Sequence, residues 1–212
     1  TFGGVLAFSG VLSYFSMNLD KIILGKIWGA NALGHYGRAW FLMGIPSLLV
    51  LRSIAYVIQP ALCNVQDDPA KFERVYTRAV RLVAFLSLPI SVGMFVTAPF
   101  LVRLVYGTQW SGVSRLLRML LIADAMGSIA GTFWWIYIAK GKTKAILAIG
   151  IAMATLVCCA TPIGVVWGAE GVAASRIVVG YLIVGPVFLL AHRAGQLNWK
   201  TTLRQLRGPV AA

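Results

Sequence analysis

Four ionisable side chains stand inside long apolar stretches of this chain: Asp20, Lys21, Arg52 and Asp124. A charge at membrane depth costs roughly 2.5–3.5 kcal/mol or more unless it faces protein, water or a partner, so each is a candidate site residue. At about 100° per residue, Ser9, Ser13, Ser16 and Asp20 share a sector of roughly 40°, while Tyr14, Asn18, Lys21 and Gly25 share a second face. Asp20 and Lys21 either line a hydrated cavity or reach the far interface. Arg52 lies near the middle of a stretch otherwise free of charge, with Gln59 seven positions on and on the same helical face. A guanidinium there suits phosphate or carboxylate through bidentate, charge-assisted hydrogen bonds. It equally suits a structural pairing with Asp20 or Asp124. Asp124, with Ser128 and Gly131 one and two turns on, is read as a coupling group for a proton or cation, or as the counter-ion of an Arg. Asn18, Asp20, Lys21, Arg52 and Gln59 are the candidate substrate-binding residues.

Covalent chemistry has little to build on. His35 and His192 stand near no nucleophile or metal partner, and neither H-E-x-x-H nor G-x-S-x-G occurs. Cys63, Cys158 and Cys159 read as small apolar core residues, not as a disulfide or metal set. The turn Lys140-Gly141-Lys142-Thr143-Lys144 resembles the tail of a phosphate-binding loop, but Ile136 stands where that motif needs its first Gly. The expectation is therefore a protein that is not an enzyme, with no catalytic residue, metal or cofactor.

These side chains are positioned by apolar rods. Of 212 residues 59% are hydrophobic and 12% charged, and mean hydropathy is +0.81, which excludes an ordinary soluble domain. The net charge of +13 would suggest nucleic acid in a soluble protein, but its spacing between apolar runs excludes that partner. Six such runs, each near the ~20 residues that a helix needs to cross ~30 Å of hydrocarbon, predict an all-α integral membrane protein. The expected spans are about 3–28, 36–64, 76–104, 115–139, 143–168 and 171–194, forming one lobe over 1–195, with a basic tail over 196–212. Thr1 in place of a start Met, followed directly by apolar sequence, reads as a piece of a longer protein and not as a signal peptide.

Orientation follows from alternating the connections. One side holds Lys71, Arg74, Arg78 and Arg81, then Lys140, Lys142 and Lys144, then Arg193, Lys200, Arg204 and Arg207; the other holds Lys26, Arg38, Arg103, Arg115, Arg118 and Arg176. The richer side is cytoplasmic, which places both ends of the chain there. Lys71, Arg74, Arg78 and Arg81 fall within a sector of roughly 80°, opposite Phe72, Val75 and Ala79, an amphipathic approach that suits anionic head groups. Trp110, Trp134 and Trp135 read as interfacial anchors, and Pro46, Pro89, Pro99, Pro162 and Pro186 as kink sites.

The run Asn18-Leu19-Asp20-Lys21-Ile22-Ile23-Leu24-Gly25, then Gly29, Leu33-Gly34-His35-Tyr36 and Ala39, resembles the opening of a lobe in bacterial polysaccharide flippases. Pro60-Ala61-Leu62, Gln66-Asp67-Asp68, Phe72, Tyr76, Pro89-Ile90, Val105-Tyr106-Gly107-Thr108-Gln109-Trp110 and Gly168-Ala169-Glu170-Gly171-Val172-Ala173 continue the likeness in order. The family is the O-antigen and colanic-acid type transporters of the multidrug/oligosaccharidyl-lipid/polysaccharide (MOP) exporter superfamily. The resemblance implies the second six-helix lobe of a two-lobe transporter in the bacterial inner membrane. It further implies an undecaprenyl-pyrophosphate-linked oligosaccharide as substrate, membrane lipid as surroundings, the missing N-terminal lobe as partner, and alternating access as mechanism. A drug or cation exporter of the same superfamily would want a more acidic cavity. A membrane enzyme acting on the polyprenyl-pyrophosphate carrier would want clustered His, Asp or Glu.

Overall fold

The structure is a computed structural model that describes residues 2–195, with side chains from Asn18 onward apart from a few positions, most of them near the end of the last helix. The expected tail over 196–212 and the side chains of Ser9, Ser13, Tyr14 and Ser16 lie outside the described residues. The described chain is helical, with no strand. Its elements are α1 (Phe2–Pro46), a π-helical turn (Ser47–Leu51), α2 (Arg52–Asn64), α3 (Pro69–Tyr106), a short 3₁₀ turn (Thr108–Trp110), α4 (Val113–Gly131), α5 (Phe133–Ala139), α6 (Thr143–Val165) and α7 (Gly168–Gly195).

Breaks in the helices follow local chemistry. Gly29 adopts φ 79°, ψ −178°, a conformation open only to glycine, and divides α1 into two arms. Beside it the Trp28 indole N–H donates to the Val165 carbonyl at 2.7 Å, fixing the bend against the end of α6. The π-helical turn follows Pro46, whose ring and missing N–H disturb the preceding ladder. Asp68 caps α3, its carboxylate accepting from the Lys71 amide at 3.0 Å, with Pro69 in the first turn. That hydrogen bond, more than the nearby Lys71 ammonium, holds the Asp68 carboxyl below the usual carboxylate range.

Three helical stretches among the described residues are long and apolar enough to cross a membrane: Asn18–Asn64, Pro69–Tyr106 and Lys144–Val165. The bent pair Val113–Ala125 and Gly127–Ala139, meeting at 41°, adds a fourth if it acts as one span. The first stretch has 47 residues and would reach about 70 Å if straight, more than a single crossing of ~30 Å uses, and the bend at Gly29 interrupts it.

Two apolar clusters form the interior. One joins α1, α3, α4 and α7 through Leu24, Tyr36, Leu42, Val102, Leu117 and Val172. The other joins α2, α3 and α5 through Leu62, Phe72, Tyr76, Val80, Phe133 and Ile136. Large apolar side chains such as Ile27, Phe41, Phe85, Phe100, Leu104 and Leu182 point outward, a distribution suited to lipid. The cysteines depart from expectation: Cys63, Cys158 and Cys159 are all free and exposed. The physical reason for Cys158 and Cys159 is that α6 runs along the outside, with only 6% of its apolar window buried.

α6 and α7 approach most closely at Gly164 and Gly171. A Cβ on Gly164 would sit 2.5 Å from the Gly171 carbonyl oxygen, and a Cβ on Gly171 would strike the Gly164 carbonyl oxygen in turn. Only glycine lets these two backbones meet.

Candidate functional site

The N-terminal arm of α1, its C-terminal arm and α7 converge on Asp20, which is wholly buried. Its Oδ2 accepts from the Arg176 guanidinium at 2.9 Å and from the Tyr36 hydroxyl at 2.8 Å. The Lys21 amide donates to Oδ1 at 3.0 Å. Trp40 closes the cluster: the Arg176 guanidinium lies 4.9 Å from its ring centroid and the Lys21 ammonium 5.3 Å. Lys21 Nζ also donates to Asn18 Oδ1 at 3.2 Å. The cluster thus holds one carboxylate, paired with Arg176, and two cations, a net positive charge beside an aromatic ring.

Asp20 is buried among side chains of α1 and α7. Its counter-ion is Arg176, neither Lys21 nor Arg52. Arg176, within the expected span 171–194 and counted with the charges on the side away from the cytoplasm, stands on α7 with its side chain 19% exposed. A signal for it was present in the sequence, because Arg176 is the only charge between Gly171 and Ala191. That is the criterion that singled out Arg52 and Asp124.

Asp124 occupies a second place. Ser47, first residue of the π-helical turn, donates to Asp124 Oδ1 at 2.7 Å, and Ser47 and Ser128 exchange a hydroxyl contact at 3.1 Å. Asp124 Oδ2 is buried with no hydrogen-bond partner among the described residues. A buried polar atom left unpaired costs about 1–3 kcal/mol, more for a charged group.

Arg52 and Gln59 lie on α2, the first exposed and the second half-buried, and Arg52 pairs with neither Asp20 nor Asp124. Of the expected residues the structure therefore joins Asn18, Asp20 and Lys21, and sets Asp124, Arg52 and Gln59 apart from them. An apolar groove of about 500 Å³ between α4, α6 and α7, lined by Met119, Ile163, Trp167 and Val178, contains none of these residues. Glu170 at its edge pairs with Arg115 at 3.0 Å, an exposed ion pair that contributes little.

Lys71, Arg74, Arg78 and Arg81 are all exposed along the first turns of α3; of the residues expected opposite them Phe72 and Ala79 are buried and Val75 is half-buried. Lys140 extends this basic end, its ammonium 4.8 Å from the Phe72 ring centroid and bonded to the Gln66 carbonyl. At the opposite end Trp110 packs within the protein, with the Arg38 guanidinium 3.5 Å from its ring centroid and the His35 ring at 4.9 Å.

Comparison with known proteins places these features. Residues 1–115 match a protein family described as "Polysaccharide biosynthesis protein". The lipopolysaccharide biosynthesis protein WzxC of Escherichia coli K12 is 24% identical over 183 residues, covering 86% of this chain and 36% of the relative. The teichuronic acid biosynthesis protein TuaB of Bacillus subtilis is 22% identical over 142 residues, covering 67% of this chain and 29% of the relative. The succinoglycan biosynthesis transport protein ExoT of Rhizobium meliloti is 20% identical over 163 residues, covering 70% and 33%. The chain spans about a third of the length of these relatives. No solved structure matches it. Apolar helices and membrane-protein relatives together make this a multi-pass membrane protein. The family match covers Asn18, Asp20, Lys21, Arg52 and Gln59, whereas Asp124 and Arg176 lie beyond it.

Proposed function

The chain belongs to the polysaccharide biosynthesis protein family, and on that footing we propose that it forms one six-crossing lobe of a flippase. Its cargo in this reading is an oligosaccharide on undecaprenyl pyrophosphate, moved across the bacterial inner membrane by alternating access. The observation that carries the reading is the family match over a run of apolar helices, two of which are joined by the buried Asp20–Arg176 pair. The relative named a transport protein, ExoT, supports movement over covalent chemistry.

In this reading a second, N-terminal lobe of the same protein closes the cavity, and both ends of the present chain face the cytoplasm. Arg52 and Lys21 hold the pyrophosphate, Asn18 and Gln59 line the polar path, and Asp20 keeps Arg176 and Lys21 in place. Asp124 is the coupling group. The exposed basic turns of α3 rest on anionic head groups, worth about 1 kcal/mol for each cation near the surface. Rocking of two packed lobes exposes the cavity to each leaflet in turn.

Arg52 gives the sharpest test, since it is exposed and its replacement leaves no buried charge behind. In the full-length protein, Arg52→Ala is expected to abolish surface polysaccharide while the amount of protein in the membrane stays unchanged. Normal surface polysaccharide in that variant removes Arg52 from the site.

A further inference from the structure

The apolar groove between α4, α6 and α7 is built from three helix faces whose charged or amphipathic ends meet at one level. On α4, Arg115 stands one turn before Met119; on α7, Glu170 is followed at one-turn intervals by Ala174 and Val178; on α6, Ile163 leads to Trp167. The contact of Gly164 with Gly171 leaves no side chain over the crossing, which opens the floor of the groove. Trp167 is 69% exposed, and Trp28, whose ring lies beside Gly168, is 51% exposed. Two indoles at this level suit a head-group boundary. From Glu170 to Val178 the helix rises about 12 Å, close to the ~15 Å of hydrocarbon in one leaflet.

The shape of the groove selects its occupant. A volume of about 500 Å³ over that length gives a cross-section of about 40 Å², at most about half that of an α-helix with its side chains, so an extended acyl chain enters where a helix does not. A tail gains little by leaving bulk hydrocarbon for an apolar wall. The head therefore decides which lipid stays.

The mouth carries one cation and one anion. Arg115 Nη2 meets Glu170 Oε2 at 3.0 Å, with the side chains 74% and 45% exposed. This contact engages one of the guanidinium's N–H donors and one of the two carboxylate oxygens. A pair so exposed adds little to stability. It matches a head that bears both a phosphate and a primary ammonium: the guanidinium donates to the phosphate, and the ammonium donates to the carboxylate. A trimethylated ammonium has no N–H to offer Glu170, and a head bearing only phosphate sets its charge against that carboxylate.

We propose that the groove holds one acyl chain of a phosphatidylethanolamine whose head bridges Arg115 and Glu170. The proposal does not depend on which cargo the protein moves. The test uses the full-length protein in phosphatidylcholine vesicles, into which phosphatidylethanolamine, phosphatidylcholine or phosphatidylglycerol with brominated acyl chains is mixed. Bromine quenches indole emission on contact, and the difference between the unaltered protein and Trp167→Phe isolates Trp167. Brominated phosphatidylethanolamine is expected to half-quench this emission at a mole fraction at least about threefold below that of the other two, the scale an exposed charge pair supplies. Glu170→Gln, at a half-exposed position whose ion pair contributes little to folding, is expected to abolish the preference. Equal quenching by the three lipids overturns the proposal, since the groove then meets bulk lipid without choosing a head. So does stronger quenching by phosphatidylglycerol, which would make Arg115 alone the attraction. Absence of quenching also overturns it, placing another part of the full chain or a second copy over the groove. A preference retained in Glu170→Gln overturns it as well, by removing the head from this ion pair.

Discussion

Replacing Arg176 by Ala is expected to cost the folded protein about 3–5 kcal/mol, the penalty for stranding one member of a buried ion pair. Asp20 has no access to solvent and loses its strongest partner. The Tyr36 hydroxyl and the Lys21 amide remain, but neither carries charge to the carboxylate. The loss reads out as a fall in the unfolding midpoint in detergent, followed through the fluorescence of nearby Trp40. Asp20→Asn combined with Arg176→Met should recover most of the stability, since an uncharged pair of similar shape leaves nothing unpaired. A double variant as unstable as Arg176→Ala would show that the ion pair is not what joins α1 to α7.

The second large effect is steric. Gly171→Val is expected to prevent formation of the folded lobe, exceeding the ~1–3 kcal/mol typical of an overpacked core, because the obstacle is backbone. The Gly164 carbonyl cannot rotate away as a side chain would, and the Trp167 Cβ crowds the same point at 2.7 Å. Gly93→Ala, where no atom lies within 4 Å of the added Cβ, is the matched control and should leave the protein monodisperse. Size-exclusion profiles of the two variants check this directly. Equal behaviour would mean that α6 and α7 do not meet at these glycines.

How much of this was legible in the sequence depended on which signal each feature gives. Apolar runs delimited by charge pointed to helices throughout, and the described chain is helical; the cap of α3 at Asp68, ahead of the expected span 76–104, comes from Asp-Pro chemistry that an apolar count does not register. Asp20 and Lys21 stood out because hydrocarbon penalises them. Arg176 escaped because a single charge near the start of an apolar run also reads as a boundary, and only a partner 156 residues away in sequence reveals otherwise. The π-helical turn after Pro46 has no composition of its own. Asp124 and Ser128 stood out by type and spacing, but Ser47, which donates to Asp124, resembles the ordinary hydroxyls that membrane helices bond internally. Whether a serine does so is a matter of rotamer and neighbours, not of residue type.

The glycines divide in the same way. Gly25/Gly29, Gly127/Gly131 and Gly164/Gly168 are indistinguishable as spaced pairs, yet they serve different ends. Gly29 makes a bend, Gly164 faces Gly171 on the next helix, and Gly127 has open space around its Cβ position. Spacing predicts a shared face; it does not say what that face meets.

The proposal that this chain is one lobe of a protein moving a lipid-linked glycan across the membrane is most directly tested by reconstitution. The full-length protein is placed in liposomes carrying a labelled undecaprenyl-pyrophosphate oligosaccharide, and a glycosidase is added outside. With the protein present, digestion should pass beyond the outer-leaflet half of the glycan toward completion, and Arg52→Ala should return it to the level of empty liposomes. Digestion that halts at the outer leaflet with active, folded protein in the membrane would contradict the account.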